Sequence, residues 1–165
     1  MMRRLMCLAM LLLAHSAHGS TIEQHFGEGA IGIKWGTPLT QVQAKFPHGY
    51  TWETVKIFGM DFIHSARVDI DLFGLDSREL PVHFGFDKSE KLIRVGIFFP
   101  YDRKADVLYK ITEALGPNYQ ITATRNETHY SWPSQSRVQV TLVIGNTVPY
   151  TWTILRIHAT DSQAR

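Results

Sequence analysis

The sequence predicts an α+β protein in which two helices pack on one face of an antiparallel sheet. Apolar residues recur at helical spacing in two segments, and each segment is followed by several stretches in which apolar and polar residues alternate. The gaps between these stretches are short, whereas parallel strands need crossover connections of about a dozen residues or more. The order of elements also allows a tandem arrangement, with half-repeats over residues 30–100 and 101–160.

The composition is that of a folded globular chain. Of 165 residues, 44% are hydrophobic, 12% are aromatic and 19% are charged, which argues against a disordered chain. No linker rich in proline, glycine or serine separates the two halves. We therefore expect a single domain over residues 20–160, followed by a polar tail at 161–165.

Residues 1–19 have the three parts of a secretory signal peptide. Arg3 and Arg4 form a basic start, residues 5–14 are uncharged and apolar, and small residues precede an expected cleavage after Gly19. The apolar run is about half the length of roughly 20 residues that a membrane-spanning helix needs. We expect a mature chain without a membrane anchor, located in the periplasm of a bacterium or secreted.

Loss of this leader changes the charge and the redox chemistry of the chain. Arg3 and Arg4 are two of 17 basic residues and no acid is lost, so 15 basic residues would face 15 acidic ones. Nucleic acids and anionic membranes select a basic excess, so neither is an expected partner. Cys7, the only cysteine, lies in the leader. The mature chain would therefore have no disulfide, no thiol nucleophile and no thiolate metal site.

The first half begins with a polar segment, residues 20–29, which we expect to be a loosely held lead-in. A strand is predicted over 30–35, and a helix then begins at Pro38 with Thr37 as its N-cap. The apolar face of this helix is predicted to consist of Leu39, Val42 and Phe46. Pro47 is expected to end the helix. The strands expected next are 54–58, 67–72, 82–86 and 92–99, the last of them apolar enough on both faces to be central.

The second half repeats this order. Asp102 is the predicted N-cap of a helix that ends at Gly116-Pro117, because glycine suits the terminal position and proline prevents continuation. The apolar face expected for this helix consists of Ala105, Leu108, Ile111 and Leu115. Four strands are predicted to follow, at 119–125, 128–132, 137–144 and 150–158.

Two short motifs resemble those of a group of small bacterial envelope proteins. Residues 35–42 read WGTPLTQV, and residues 114–117 read ALGP, followed by YSW at 130–132. These are similar to motifs in the group that includes the BamE (SmpA/OmlA) outer-membrane assembly lipoproteins and the β-lactamase inhibitor protein. The resemblance implies units of a helix followed by an antiparallel sheet, two of them in tandem in the inhibitor. This chain lacks the lipid-anchoring cysteine of the former, which weakens a membrane-assembly role. It also lacks the disulfides of the latter, which leaves the inhibitor-like fold possible but differently stabilised.

No catalytic or cofactor motif is found in the sequence. There is no G-x-S-x-G elbow, no H-E-x-x-H pair and no glycine-rich phosphate loop before a helix, so we expect neither an enzyme nor a cofactor. The nearest grouping of metal-ligand types is His64 with Asp69 and Asp71. A solvated strand face explains these residues better than a cation site does.

The last predicted strand carries the strongest candidates for a recognition surface. If Leu155 and Ile157 face the helices, the alternate residues lie on the open face of the sheet. Aromatic and arginine side chains are the types that anchor protein interfaces. The alternative, that Tyr150 and Trp152 are core residues and the threonines beside them are exposed, is equally compatible with the pattern. The candidate partner-binding residues, two of them from a neighbouring strand, are Tyr130, Trp132, Tyr150, Trp152, Arg156 and His158.

These observations favour an exported module that binds a protein partner, most simply an inhibitor of an enzyme or an immunity protein against a toxin, acting by occlusion. An accessory factor for envelope assembly is one alternative. A small-ligand carrier or enzyme, with its site between helix and sheet, is another. The position of the last strand's aromatic side chains, on an open face or around a cavity, discriminates between these classes.

Overall fold

Eight strands in one antiparallel sheet dominate the fold. The computed structural model describes residues 20–46, 52–57, 60–77, 80–133, 137–146 and 151–160. The predicted α+β class and the antiparallel pairing are confirmed. The predicted leader and the polar tail lie outside the described residues.

The described helices are short. They are α1 (Ser20–Phe26), α2 (Leu39–Lys45) and α3 (Lys104–Leu115), the last entered through a 3-10 turn at Tyr101–Arg103. The longest, α3, has 12 residues, and no helix in the described ranges is long and apolar enough to cross a membrane.

The strands fall into one large sheet and two small hairpins. The hairpins are formed by β1 (Gly29–Ala30) with β2 (Ile33–Lys34) and by β5 (Asp71–Leu72) with β6 (Leu75–Asp76). The strands of the large sheet are β3 (Glu53–Ile57), β4 (Met60–Arg67), β7 (Pro81–Phe86), β8 (Leu92–Phe99), β9 (Gln120–Ala123), β10 (Glu127–Trp132), β11 (Val138–Gly145) and β12 (Thr153–Ala159).

The large sheet has the strand order β3-β4-β7-β8-β12-β11-β10-β9. Each half of the chain contributes a helix followed by four strands that pair in succession, and the last strand of each half lies at the centre of the sheet. There β8 and β12 pair antiparallel, with Val95 opposite Ile157 and Phe99 opposite Thr153. The two halves are thus joined by backbone hydrogen bonds along their last strands.

One face of the sheet carries the hydrophobic core. On the central strands, Val95, Ile97, Leu155 and Ile157 are fully buried. Because side chains alternate along a strand and directly paired residues share a face, these four lie on the same side. We call this side the core face, and we call the other the opposite face. Helix residues of α2 and α3 belong to the same core, namely Val42, Val107, Ile111 and Leu115.

The expectation of a loose lead-in over residues 20–29 is wrong. Ile22 and Phe26 of α1 are buried in the core, and α1 packs against β11 and α3. The indole Nε1 of Trp35 donates a hydrogen bond to the Phe26 carbonyl at 2.8 Å. Ile22 and Phe26 are four residues apart and share one helix face, but the stripe they form is too short to stand out among polar neighbours.

Both predicted N-caps are also wrong. The hydroxyl of Thr37 donates to the Lys34 carbonyl, so this residue closes a turn, and α2 begins after Pro38 without a side-chain cap. Asp102 lies inside the 3-10 turn, and Arg103 occupies the N-cap position of α3. In both cases the helix begins one residue later than the capping pattern indicates, so the predicted side chain is misplaced to bond the first amide groups.

The C-terminal end of α3 agrees with the prediction, whereas its buried face differs by one position. Gly116 ends the helix at a φ of 89°, and its N–H donates to the Thr112 carbonyl at 2.8 Å. Ala105 is exposed and Val107 is fully buried instead. Because Val107, Ile111 and Leu115 are spaced by four residues, they form one stripe, and Ala105 lies outside it.

Two predicted strands are interrupted. The segment 30–35 forms the β1–β2 hairpin, in which Ile31 and Gly32 turn the chain at positive φ. The strand expected over 67–72 is divided, since β4 ends at Arg67 and β5 is a separate short strand. The predicted alternation nevertheless persists between them, because Val68 and Ile70 are buried and Asp69 is exposed.

Candidate functional site

Arg156 lies at the centre of the opposite face and is exposed. Its directly paired neighbours are Gly96 on β8 and Thr141 on β11. Beyond Gly96, the next residue in the same row is His83 on β7. Arg156 and His83 are therefore separated by two strand spacings, about 10 Å, with no side chain on the residue between them.

Two further basic residues lie in the adjacent row. His158 of β12 is paired with Arg94 of β8, and both point to the opposite face beside Arg156. We call His83, Arg94, Arg156 and His158 the basic patch. Its members come from three adjacent strands, and each of the four is exposed or half-buried.

The basic patch alters the ionisation of its own members. Burial, and secondly the positive charge of Arg156, lower the pKa of His83 to about 4. The same two causes, burial first and then Arg156, lower the pKa of Arg94. His83 is therefore neutral near pH 7, and its ring contacts Phe98 edge-on, with the ring centres 4.7 Å apart.

The opposite face also has an apolar part beside the patch. Val143 and Ile154 are paired across β11 and β12, and both are buried although they point away from the core face. Trp152, directly before β12, is half-buried next to them. Its indole Nε1 is buried and has no hydrogen-bond partner among the described residues. We call Val143, Trp152 and Ile154 the apolar strip.

Three glycines of the opposite face are each covered by a longer side chain. A Cβ atom built on Gly145 would lie 2.8 Å from Cε2 and Nε1 of Trp152, so the indole occupies the space that a side chain would need. Around Gly96, the Ile154 Cδ1 atom would be 3.1 Å away. The missing side chain of each glycine leaves a space on the opposite face, and a neighbouring side chain occupies that space. The three pairs are Gly85 under Arg94, Gly96 under Ile154 and Gly145 under Trp152.

The candidate residues on the last strand are brought together on this face. Leu155 and Ile157 are fully buried on the core face, so Arg156 and His158 lie on the opposite face. Trp152 joins them, because its indole covers Gly145. Tyr150 lies outside the described residues.

Tyr130 and Trp132 do not join that group. They are paired with Leu142 and Val140, which are buried core residues, so both point to the core face. The Trp132 indole is buried, and its Nε1 donates to the Gly116 carbonyl at 2.8 Å. Tyr130 is half-buried and contacts the ring of Tyr119 edge-on. The expectation that these two aromatics extend the open face is corrected by the β10–β11 register.

The three residues considered for a metal lie in different surroundings. His64 is on the core face, where its ring contacts Phe86 edge-on. Asp69 is exposed, and Asp71 accepts a hydrogen bond from the Gly74 N–H at 2.9 Å. Within the described ranges, no three histidine, cysteine, aspartate or glutamate side chains come together to hold a metal ion.

Sequence reasoning missed His83, Arg94 and Phe98 as members of the site. The available signal was the interruption of the apolar segment 92–99 by Arg94 and Gly96, which have the same parity. Two such residues mark one face of a strand as different from the other. Their connection with His83 and Arg156 depends on which strands become neighbours, which alternation alone does not give.

Comparison with known proteins identifies no relative. The chain matches no protein-family model, no curated protein and no solved structure. The resemblance to small envelope proteins therefore stays a prediction.

Proposed function

We propose that this chain is an exported protein-binding module that inhibits an enzyme or neutralises a toxin by covering it with the opposite face of its sheet. The observation that supports this most is the grouping of Trp152, Phe98 and Arg156 on one sheet face. Tryptophan and arginine are enriched among the residues that dominate binding energy at protein interfaces. Delivery to the periplasm by the leader at residues 1–19 is part of the proposal.

The fold supports this function by keeping the binding face rigid. The strands that carry the basic patch have fully buried residues at the alternate positions, including Val82, Ile97 and Leu155. A side chain on such a strand needs little reordering of the backbone when a partner binds. Preorganisation of this kind lowers the entropic cost of association.

The proposal includes the finer architecture that the sequence predicts. Helices α2 and α3 would each lie over the strands of their own half on the core face, and the opposite face would stay free of helices. Membership of Val42, Val107 and Ile111 in the core supports this arrangement. A tandem repeat of this kind would bring the last strands of both halves to the middle of one binding surface.

The enzyme or carrier alternative receives less support. A site between helix and sheet needs a few convergent polar groups. In the described parts of the chain, the buried polar side chains are those of Ser65, Ser77 and Thr153, and none of them titrates near neutral pH. An open cleft is bordered by α1 and the β1–β2 hairpin, near Glu23 and Lys34, and none of its described lining residues comes from the large sheet.

Site-specific photo-crosslinking tests the proposal. A photoreactive amino acid would replace Gln139, which is exposed on the opposite face, and in a control it would replace Glu113, which is exposed on α3. We expect one stoichiometric adduct from the position-139 variant in periplasmic or secreted extracts, and none from the position-113 variant. The captured protein, once purified, should lose its activity when one equivalent of the chain is added.

Two results would contradict the proposal. Equal adducts from both positions would show that the opposite face is not selective. A selective partner that keeps its full activity when bound would exclude inhibition and favour the envelope-assembly alternative.

A further inference from the structure

We infer that the partner presents an acidic segment to the opposite face, with a carboxylate placed beside Arg156. This inference rests on the proposed function and specifies the chemistry of the partner at that same surface.

The positions around Arg156 provide no carboxylate. The directly paired residues are Gly96 and Thr141, and Ile154 and His158 are the nearest residues of its own strand on the same face. The diagonal neighbours on this face are Arg94, Phe98, Gln139 and Val143. Arg156 makes no ion pair with a described residue. The ion pairs Arg103–Asp106, Lys110–Glu113 and His129–Glu127 do not involve it.

Carboxylates are also scarce further away on the same face. Six strands lie side by side from β7 to the edge of the sheet, in the order β7-β8-β12-β11-β10-β9. The opposite face of these six strands carries one acidic residue, Glu127 of β10. Its carboxylate already contacts Nε2 of His129 at 2.8 Å. The positive charge of Arg156 is therefore left uncompensated by the described side chains of these strands.

The surroundings of Arg156 favour a strong charge pair with an incoming group. Arg156 is exposed, and Phe98, at a diagonal position on β8, is half-buried and offers apolar surface beside it. A carboxylate bound beside Arg156 would lose water as the partner covers it, and its attraction to arginine grows as the local dielectric constant falls. The planar guanidinium can also bond both carboxylate oxygens, which adds geometric specificity.

The extent of the patch favours a protein over a nucleic acid or a membrane. It has four basic side chains, and His83 is neutral near pH 7 because of its lowered pKa. Polyanions select long basic tracks or a large excess of charge. A small basic patch beside the half-buried aromatic rings of Phe98 and Trp152 matches an acidic loop flanked by apolar residues.

A short acidic peptide of defined sequence tests this inference directly. The probe is acetyl-Gly-Glu-Asp-Glu-Gly-amide, and its control has Gln and Asn in place of Glu and Asp. Each is titrated by ¹⁵N NMR into the protein purified after export from cells that express the full chain. We expect the acidic peptide to shift the signals of Gly96, Thr141 and the Arg156 side chain, and to bind more weakly as salt is raised.

Matched variants connect the binding to Arg156. Arg156→Gln should weaken the peptide about tenfold, whereas Arg156→Lys should keep part of the affinity because it keeps the charge. Arg125→Gln, at an exposed position in the β9–β10 turn, is the control and should change nothing. Because Arg156 is exposed, these variants should keep the thermal stability of the wild type.

The inference is overturned if the neutral peptide binds equally well, if no shift occurs, or if Arg156→Gln binds like the wild type. Binding of phosphatidylglycerol vesicles without binding of the peptide would overturn it in favour of a membrane ligand. The proposed function can fail separately. A crosslinked, inhibited enzyme that tolerates Arg156→Gln refutes only the acidic segment, whereas peptide binding without any inhibited partner refutes only the inhibitor.

Discussion

The two faces of the central strands differ in residue type and in exposure. On the core face, Val95 and Ile97 of β8 and Leu155 and Ile157 of β12 are fully buried. On the opposite face of the same two strands, the alternate residues are Arg94, Gly96, Phe98, Ile154, Arg156 and His158. Neighbours in sequence thus have separate tasks, since one set builds the core and the other set includes the exposed Arg156, which meets the solvent or a partner. Substitutions at adjacent positions should separate stability from binding.

The largest effect is expected from Leu155→Ala on the core face. Leu155 is fully buried, and truncation removes apolar contacts and leaves a cavity, which should cost about 3 kcal/mol of unfolding free energy. Arg156→Ala, one residue along, should change the unfolding free energy by about 0.5 kcal/mol or less, because its side chain is exposed. Urea denaturation measures both. Similar losses in the two variants would contradict the division between faces.

Gly145→Val should give the next largest effect. A Cβ on Gly145 would lie 2.8 Å from the Trp152 indole, so the ring must move, at a cost of about 2 kcal/mol. In a Trp152→Ala background the same substitution should cost much less, because the obstructing ring is gone. Denaturation of the four members of this double-mutant cycle measures the coupling. Additive effects would show that the indole does not rest on Gly145.

The pH dependence of stability should reveal His83. Its pKa in the folded protein is about 4, below the ordinary value of 6.5, so the unfolded chain binds this proton first as pH falls. Stability should therefore be retained above pH 6.5, decrease between pH 6.5 and about 4, and level off below. Allowing for partial exposure, the loss should be about 1–2 kcal/mol. Denaturation at a series of pH values, compared with His83→Gln, isolates this contribution.

A second substitution sharpens the same prediction. Arg156 lowers the pKa of His83 through its positive charge, so Arg156→Gln should raise that pKa. The pH range over which stability decreases should then become narrower. NMR titration of the His83 ring in both proteins measures the change. An unchanged pKa would mean that Arg156 and His83 do not share one electrostatic environment.

The smallest effect distinguishes the two tryptophans on the two faces. The Trp132 indole N–H donates to the Gly116 carbonyl, whereas that of Trp152 is buried without a partner among the described residues. Trp→Phe removes the same atoms at each site, but only at Trp132 does it break a hydrogen bond. We expect Trp132→Phe to cost about 1 kcal/mol more than Trp152→Phe. Equal losses would show that the Gly116 bond adds nothing to stability.

Alternation along the chain predicted the α+β class and the antiparallel pairing, but it located the site only in part. Leu155 and Ile157 identified the buried side of the last strand, and this placed Arg156 and His158 correctly relative to them. Tyr130 and Trp132 could not be assigned to a face, because the side of an outer strand depends on its register with Leu142 and Val140.

The remaining site residues follow only from the strand order. His83 and Arg156 are far apart in sequence, and only the pairing of both strands with β8 brings them into one row. Helix α1 was missed for a different reason, since its stability comes from two buried side chains and tertiary packing, and helical propensity contributes little in so short a segment.

The junction of β8 and β12 has a consequence for how the chain can be divided. The covalent connection between the halves passes through the 3-10 turn at Tyr101–Arg103, whereas the pairing of β8 with β12 and the contact of α1 with β11 and α3 hold them together without it. A protein cut in that turn should therefore stay assembled as two chains, and separately produced halves should recombine by strand pairing. The two fragments would form a split protein, and their reassembly would restore the basic patch, because Arg94 comes from one fragment and Arg156 from the other.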